Sequence, residues 1–238
     1  MIDVLYILGD GSQCWNLELK YSLRSLEKYC TDVRNVYIAG LCPDFIDKSK
    51  VEWIYLEDVA CPRFNHWYKV HNTFKILGSK VYDLVLMYDD IFFTQPTYLT
   101  NYPYYYSGEL DVVNKENKYH LAKGRSKILL GTVGRTKLDF ENHCPIRYNR
   151  NKFMMMEDLF KNLKDDDVGL SVRSIYANFF ANQSEMVKQS DLKIRTQPTN
   201  LEEIIKGRDC FSISADTFYG GVFEWLKLEF PNKSKWEK

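Results

Sequence analysis

The run Leu84-Val85-Leu86-Met87-Tyr88 constrains this chain more than any other segment, because a strand with almost no polar face has to be covered on both sides. A sheet with helices packed on each face supplies that cover, so the run predicts a central, mostly parallel strand in an α/β fold. Its neighbours point the same way. Val4 to Leu8 is a short apolar strand closed by Gly9-Asp10-Gly11-Ser12, a tight turn in which glycine permits unusual backbone angles. Between Asn16 and Tyr29 the residues Leu19, Leu23, Leu26 and Tyr29 recur at helical spacing, which predicts an amphipathic helix with Asn16 as its N-cap. Strands are predicted at Asn35 to Ala39 and at Trp53 to Leu56. A helix from Phe64 to Leu77 ends at Gly78, a residue suited to a left-handed C-cap. This is the spacing of βαβ units.

Beyond Pro96 the pattern loosens. Strand candidates lie near Asp111, at Ile128 to Val133 and at Cys210 to Ile213, with helices predicted over 152–163, 169–180, 201–205 and 219–227. The expected architecture is a single domain over 1–238: a Rossmann-type mixed sheet flanked by helices, with a more helical C-terminal part. Residues 1–96 form the regular half of this domain and 97–238 the less regular half. With 32 Lys+Arg against 32 Asp+Glu, the whole molecule has no net field to draw in nucleic acid or an anionic membrane. The N-terminus enters a strand at once, without a basic segment and apolar core of the kind that marks a secretory leader. No apolar run is long enough to span a bilayer, so no integral membrane segment is expected. The six cysteines show no CxxC or zinc-finger spacing and are read as reduced thiols of a cytoplasmic protein.

Chemistry concentrates in Asp89-Asp90. Two carboxylates directly after a buried strand lie at the carboxyl edge of the sheet, where open α/β folds bind their ligands. Hard oxygen ligands there suit Mg²⁺ or Mn²⁺ bridging to substrate phosphates, and such an ion would neutralise a departing nucleoside diphosphate. The alternative is that the pair caps a turn, since aspartate is favoured where strands end.

Several blocks resemble a known family. "DVLYILGDGS" from Asp3, "LKYSLRSLEKYCTDVRNVYIA" from Leu19, Phe64-Asn65, "VLMYDDIFFTQP" from Val85, "FENHCP" from Phe140, "RSIYANFF" from Arg173 and "CFSISADTF" from Cys210 resemble the conserved blocks of the Stealth family of sugar-phosphate transferases. That family includes bacterial capsule enzymes and the lysosomal-targeting GlcNAc-phosphotransferase. The resemblance implies a GT-A-like fold, a nucleotide-sugar donor, a UDP-sugar first among the candidates, and a divalent Mn²⁺ or Mg²⁺, with 1–96 as the nucleotide-sugar and metal-binding half and 97–238 as the acceptor-side half. It implies that Asp89 or Asp90 binds metal, that His143 lies beside the reacting phosphate or acceptor hydroxyl, that Arg173 clamps donor phosphate and that Asp216 completes the metal or donor site. Two blocks depart from the family pattern: "ILGDGS" stands where a tryptophan-containing "WVDG" is frequent, and Ser214-Ala215-Asp216 where an Asn-Asp pair is usual.

Read by their own chemistry, these residues have plainer alternatives. His143, in a polar segment ending at Pro145, carries an imidazole that can take a proton from an acceptor hydroxyl, as can Glu141 or Asp216 with a carboxylate. Arg173 can fork onto phosphate oxygens or pack its stem against the protein. Gly9, Asp10 and Gly11 let the backbone approach a base, Arg24 is a further donor-binding candidate, and Asn65, with His66, Lys69 and His71, is a candidate for the cleft.

From Asn114 to Lys152 there are ten basic residues (Lys115, Lys118, Lys123, Arg125, Lys127, Arg135, Lys137, Arg147, Arg150, Lys152) against three acidic ones (Glu116, Asp139, Glu141). They follow Tyr102, Tyr104, Tyr105 and Tyr106. Cations beside aromatic faces suit phosphate tracking with base stacking, so a hydroxylated base in DNA joins a glycan as a candidate acceptor. A solvated loop, or a patch for an anionic glycan or membrane surface, explains the charge equally. Three functions therefore stand: a glycosyltransferase acting on a hydroxyl, a sugar-1-phosphate transferase of capsule or cell-surface polysaccharide synthesis, and a non-catalytic carbohydrate- or nucleic-acid-binding module.

Overall fold

A computed structural model describes residues 1–238 apart from Asp10 and Lys115. The first half is built on β1 (Ile2–Leu8), α1 (Leu17–Tyr29), β2 (Val33–Gly40), β3 (Glu52–Ile54), α2 (Pro62–Leu77) and β4 (Asp83–Met87). There follow β5 (Ile91–Phe93), β6 (Tyr104–Tyr106), α3 (Lys118–Thr132), β7 (Ile146–Asn149), α4 (Arg150–Met154), α5 (Glu157–Phe160) and α6 (Val172–Phe180). The chain ends with β8 (Met186–Lys188), β9 (Lys193–Ile194), α7 (Leu201–Ile205), β10 (Cys210–Ile213), α8 (Ala215–Phe218) and α9 (Gly221–Glu229).

The main sheet has the order β3-β2-β1-β4-β7, in which only β7 runs antiparallel. A second sheet has the order β5-β10-β9, and β6 pairs with β8. The strand period of two divides β1 between two cores. Val4, Tyr6 and Leu8 pack with Leu19, Leu23 and Leu26 of α1 on one face. Leu5 packs on the other with Phe64, Trp67, Val70, Phe74 and Leu77 of α2. Each such buried side chain contributes roughly 1.5–3 kcal/mol relative to exposure, so the two helices are held mainly by their apolar stripes. A third cluster joins β10 to α7, α8 and α9 through Phe211, Ile205, Phe218, Val222 and Leu226.

The structure corrects several local expectations. Ile128 to Val133 is not a strand but falls almost wholly within α3, whose buried side chains are Ala122, Ser126 and Leu130. Two of those three are small or polar, so the helical stripe has no apolar signature in the sequence. Gly124 stays in this helix because a Cβ there would stand 2.6 Å from Val112 Cγ2. The segment near Asp111 forms no strand; its neighbour Glu109 makes an isolated bridge to Leu138. The helix expected over 152–163 is broken into α4 and α5, and the antiparallel β7 preceding it was not foreseen. Asn16 does not cap α1 with its side chain: it sits at φ 58°, and Ser12 Oγ instead accepts from its backbone N–H at 2.8 Å. No helix among the described residues is long and apolar enough to cross a membrane.

Candidate active site

Sheet register brings distant segments to one place. Because β7 is antiparallel and Ile146 pairs with Leu86, the residues just before β7 lie beside those just after β4. His143 thereby meets Asp89-Asp90. β10 pairs Ser212 with Ile91 and, on its other side, with Lys193, so Lys193 arrives beside Asp90 from a strand a hundred residues away. β1 pairs Tyr6 with Met87, which sets the Gly9–Ser12 turn along the same edge.

Two cavities share the Asp89-Asp90 wall. The larger, of 530 Å³, is lined by Gly9, Gly11, Glu18, Asp58, Lys193 and Ser214 among others. The smaller, of 220 Å³, is lined by Tyr88, Tyr119, Glu141, Asn142, His143 and Arg173. A further cavity of 430 Å³ opens at the opposite edge of the sheet near Asp83, where Arg34 and Arg147 are already ion-paired. Parallel sheets place their ligands at the carboxyl edge, so the pair of cavities at Asp89-Asp90 is the candidate site.

The two carboxylates differ in environment. Burial pushes the Asp89 carboxyl up to about 7, with Asp90 and Glu18 adding like-charge repulsion. For Asp90 burial acts in the same direction, but His143 and Lys193 outweigh it and hold the group below the usual carboxylate range. Lys193 Nζ donates to Asp90 Oδ2 at 3.0 Å, and His143 Nδ1 stands 3.4 Å from the same oxygen. Asp90 Oδ1 and Glu18 Oε2 are buried without partners.

A divalent cation fits this donor set. Hard oxygens, two of them orphaned, and a carboxyl raised for want of a counter-charge are what such an ion would relieve. No group of three or more His, Cys, Asp or Glu among the described residues is close enough to cage an ion, so further ligands would come from water and substrate phosphate, as magnesium prefers. Since the Asp89 pKa is raised on folding, the folded state binds more protons than the unfolded one above the ordinary carboxylate range, and the ionised group opposes stability as pH rises through about 7. A divalent ion held here would bind more weakly as pH falls below about 7, with proton release on binding. Calorimetry in buffers of different ionisation enthalpy would detect that release, and a flat profile across this range would contradict it.

The smaller cavity is held from outside. The His143 backbone N–H donates to Asp191 Oδ2 at 2.8 Å, and Asn142 Nδ2 to the Gln189 carbonyl at 3.0 Å. Burial raises the Glu141 carboxyl, whose Oε1 accepts from the Ser174 N–H and hydroxyl. Arg173, 2% exposed, donates from Nε to the Phe140 carbonyl and from Nη2 to the Cys144 carbonyl, while its Nη1 is buried without a partner. It also lies over the Tyr88 ring.

Other candidates have structural duties. Arg24 is paired with Glu237 and the Phe230 carbonyl on the far side of α1, away from both cavities. Asn65 fastens the preceding loop, accepting from Val59 and Ala60 N–H groups and donating to the Ala60 carbonyl. His66 bridges Tyr88 and Tyr148, and burial lowers it to about 3. His71 is buried behind the sheet near Glu157. Asp216 is exposed in the first turn of α8, and that side of the cavity is lined by Ser214, Ala215 and Phe218. Asp10 lies outside the described residues. Sequence reasoning missed Lys193, Asp58 and Glu18. Asp58 is held by Lys69 at 2.7 Å and approaches Gly9 so closely that a Cβ there would lie 2.7 Å from its Oδ2.

The basic segment does not form a bare stripe. Lys118, Lys123, Arg125, Lys127 and Arg147 each pair with a carboxylate, namely Asp167, Asp139, Asp166, Glu109 and Glu185. Lys115 lies outside the described residues. Tyr102 and Tyr104 are buried and Tyr105 and Tyr106 half-buried, leaving no open stacking platform.

No family model and no curated protein matches this sequence. Among solved structures, an active-site mutant of LgtC is similar at a TM-score of 0.51 and 12% identity, over 98% of this chain and 98% of that one. The apo form of mouse xyloside xylosyltransferase 1 is similar at a TM-score of 0.43 and 10% identity, over 91% of this chain and 99% of that one. The former likeness assigns the fold: a GT-A-type mixed α/β architecture with a parallel-rich central sheet flanked by helices.

Proposed function

We propose that this chain is a nucleotide-sugar-dependent glycosyltransferase that uses Mn²⁺ or Mg²⁺ at Asp89 and Asp90 and transfers a sugar to a hydroxyl acceptor. The observation that carries this reading is the meeting of two cavities at one carboxylate pair, because a two-substrate transfer needs both reactants to reach a single charged wall. The larger cavity takes the donor, with Gly9 and Gly11 lining one side and Ser214 another. When bound, the ion supplies positive charge against the leaving diphosphate. His143 and Glu141 face the smaller cavity, where either can receive the proton of an acceptor hydroxyl. Burial of Glu141 raises its basicity for that purpose. Asp216 takes no first role here, since it is exposed outside the lining.

A glycan hydroxyl is preferred to DNA as acceptor, because five of the ten basic residues of the segment are held in ion pairs and its tyrosines are buried or half-buried. With six free cysteines, a reducing, cytoplasmic setting is proposed. Sugar-1-phosphate transfer is the second reading, favoured by one observation: Arg173 brings a buried guanidinium with an unpartnered Nη1 to the acceptor-side cavity, as an anion there would require.

Donor hydrolysis across UDP-, GDP-, CDP- and dTDP-sugars, with Mn²⁺, Mg²⁺ or EDTA, tests the proposal. Metal-dependent release of a nucleoside diphosphate supports glycosyl transfer. Release of the monophosphate selects sugar-phosphate transfer, and silence across the panel favours a binding module.

A further inference from the structure

The larger cavity is acidic. Among its described lining residues Glu18, Asp58, Asp89 and Asp90 are carboxylates and Lys193 is the one cation. Asp58 is already neutralised by Lys69. A diphosphate entering this space would be repelled by what remains, so the cavity's positive charge must be both supplied and aimed. Lys193 has the position for this. Its side chain is 14% exposed, so the ammonium has given up most of its water and is compensated by Asp90 Oδ2 at 3.0 Å. Its Nζ also lies 3.1 Å from His143 Nδ1, at the junction with the second cavity.

An ammonium and a divalent ion compete for this carboxylate. Two cations held a few ångströms apart in a largely desolvated site repel strongly until a flexible side chain relaxes away. Lysine relaxes readily, since its charge sits on a four-carbon stem. We propose that Lys193 is an exchangeable counter-ion of Asp90: it holds the carboxylate when no metal is bound, a divalent ion displaces it, and the released ammonium engages the donor diphosphate. This rests on the metal and donor reading above. It gives one residue two effects of opposite sign, weakening metal binding and strengthening diphosphate binding. A lysine with only a structural role would not split them.

The experiment compares wild type, Lys193→Met and Lys193→Arg. Free Mn²⁺ is followed by electron paramagnetic resonance without nucleotide, and then UDP and GDP are titrated calorimetrically at saturating Mn²⁺. Lys193→Met is expected to bind Mn²⁺ at least about ten-fold more tightly and the nucleotide at least about ten-fold more weakly, with Lys193→Arg near wild type in both. A melting temperature within a few degrees of wild type certifies the fold. Equal or weaker Mn²⁺ binding by Lys193→Met overturns the inference and leaves the metal reading standing. Absence of Mn²⁺ binding by wild type and variant alike overturns both, and failure of metal-loaded wild type to bind either nucleotide overturns the donor half.

Discussion

Asp90→Asn is expected to lower metal-dependent turnover by about 10³-fold or more while the protein stays folded. The amide keeps the shape of the side chain but removes the charge that Lys193 and His143 face, and it replaces one of the two carboxylate oxygens with an NH2 group that cannot ligate a cation. Because Asp90 has its pKa depressed in the folded state, it stabilises the protein above the ordinary carboxylate range, and that contribution fades as pH falls through the depressed value. Some stability is therefore lost in the variant at neutral pH. The assay is initial-rate turnover at saturating Mn²⁺ on the donor identified by the panel, with a melting curve alongside. Activity within ten-fold of wild type in a folded variant would remove Asp90 from the site and with it the central functional reading.

The largest effect on stability is expected at Gly40. This residue closes β2 at φ +115°, and an added Cβ would stand 1.9 Å from the Leu8 carbonyl oxygen and 3.0 Å from Lys69 Nζ. Backbone cannot retreat from that contact, because Leu8 pairs with Gly40 in the parallel ladder and its carbonyl accepts from Lys69. Gly40→Ala should cost about 3 kcal/mol or more, lowering Tm by roughly 6–12 °C for a chain of this size. Gly108→Ala is the control: nothing lies within 4 Å of its added Cβ and its φ is not positive, so its Tm should barely move. Equal melting temperatures for the two variants would mean that the β1–β2 edge is looser than its register implies. Strain at Leu8 would also reach the turn beginning at Gly9, so Gly40→Ala should weaken donor binding in whatever fraction folds.

The fold class was legible because its signals are local. An apolar strand at 84–88, helical stripes in 16–29 and 64–77 and the turn after Leu8 each depend on residues within a few positions, and the periods of two and 3.6 write burial directly into the sequence. Asp89-Asp90 was legible for the same reason, as carboxylates at the end of a strand whose burial is evident. The second half reads less well because its cover is made from small or polar positions. α3 buries Ala122 and Ser126, and β7 earns its place by pairing with β4 rather than by its own pattern.

Which residues meet was decided by register alone. Lys193 reaches Asp90 through two strand pairings, and His143 through the antiparallel course of β7, neither of which any spacing in the chain encodes. Long-range contacts also withdrew Arg24 to Glu237 and neutralised part of the basic segment with acids from elsewhere, while Asn65 fastens the loop just before it through local bonds. Sequence by itself determined the strands β1 to β4 and β10, the helices α1 and α2 and the carboxylate pair, since each follows from short-range periodicity and burial. Tertiary structure decided the partners, because Coulomb energy and hydrogen bonding depend on distances in space that only the sheet registers set.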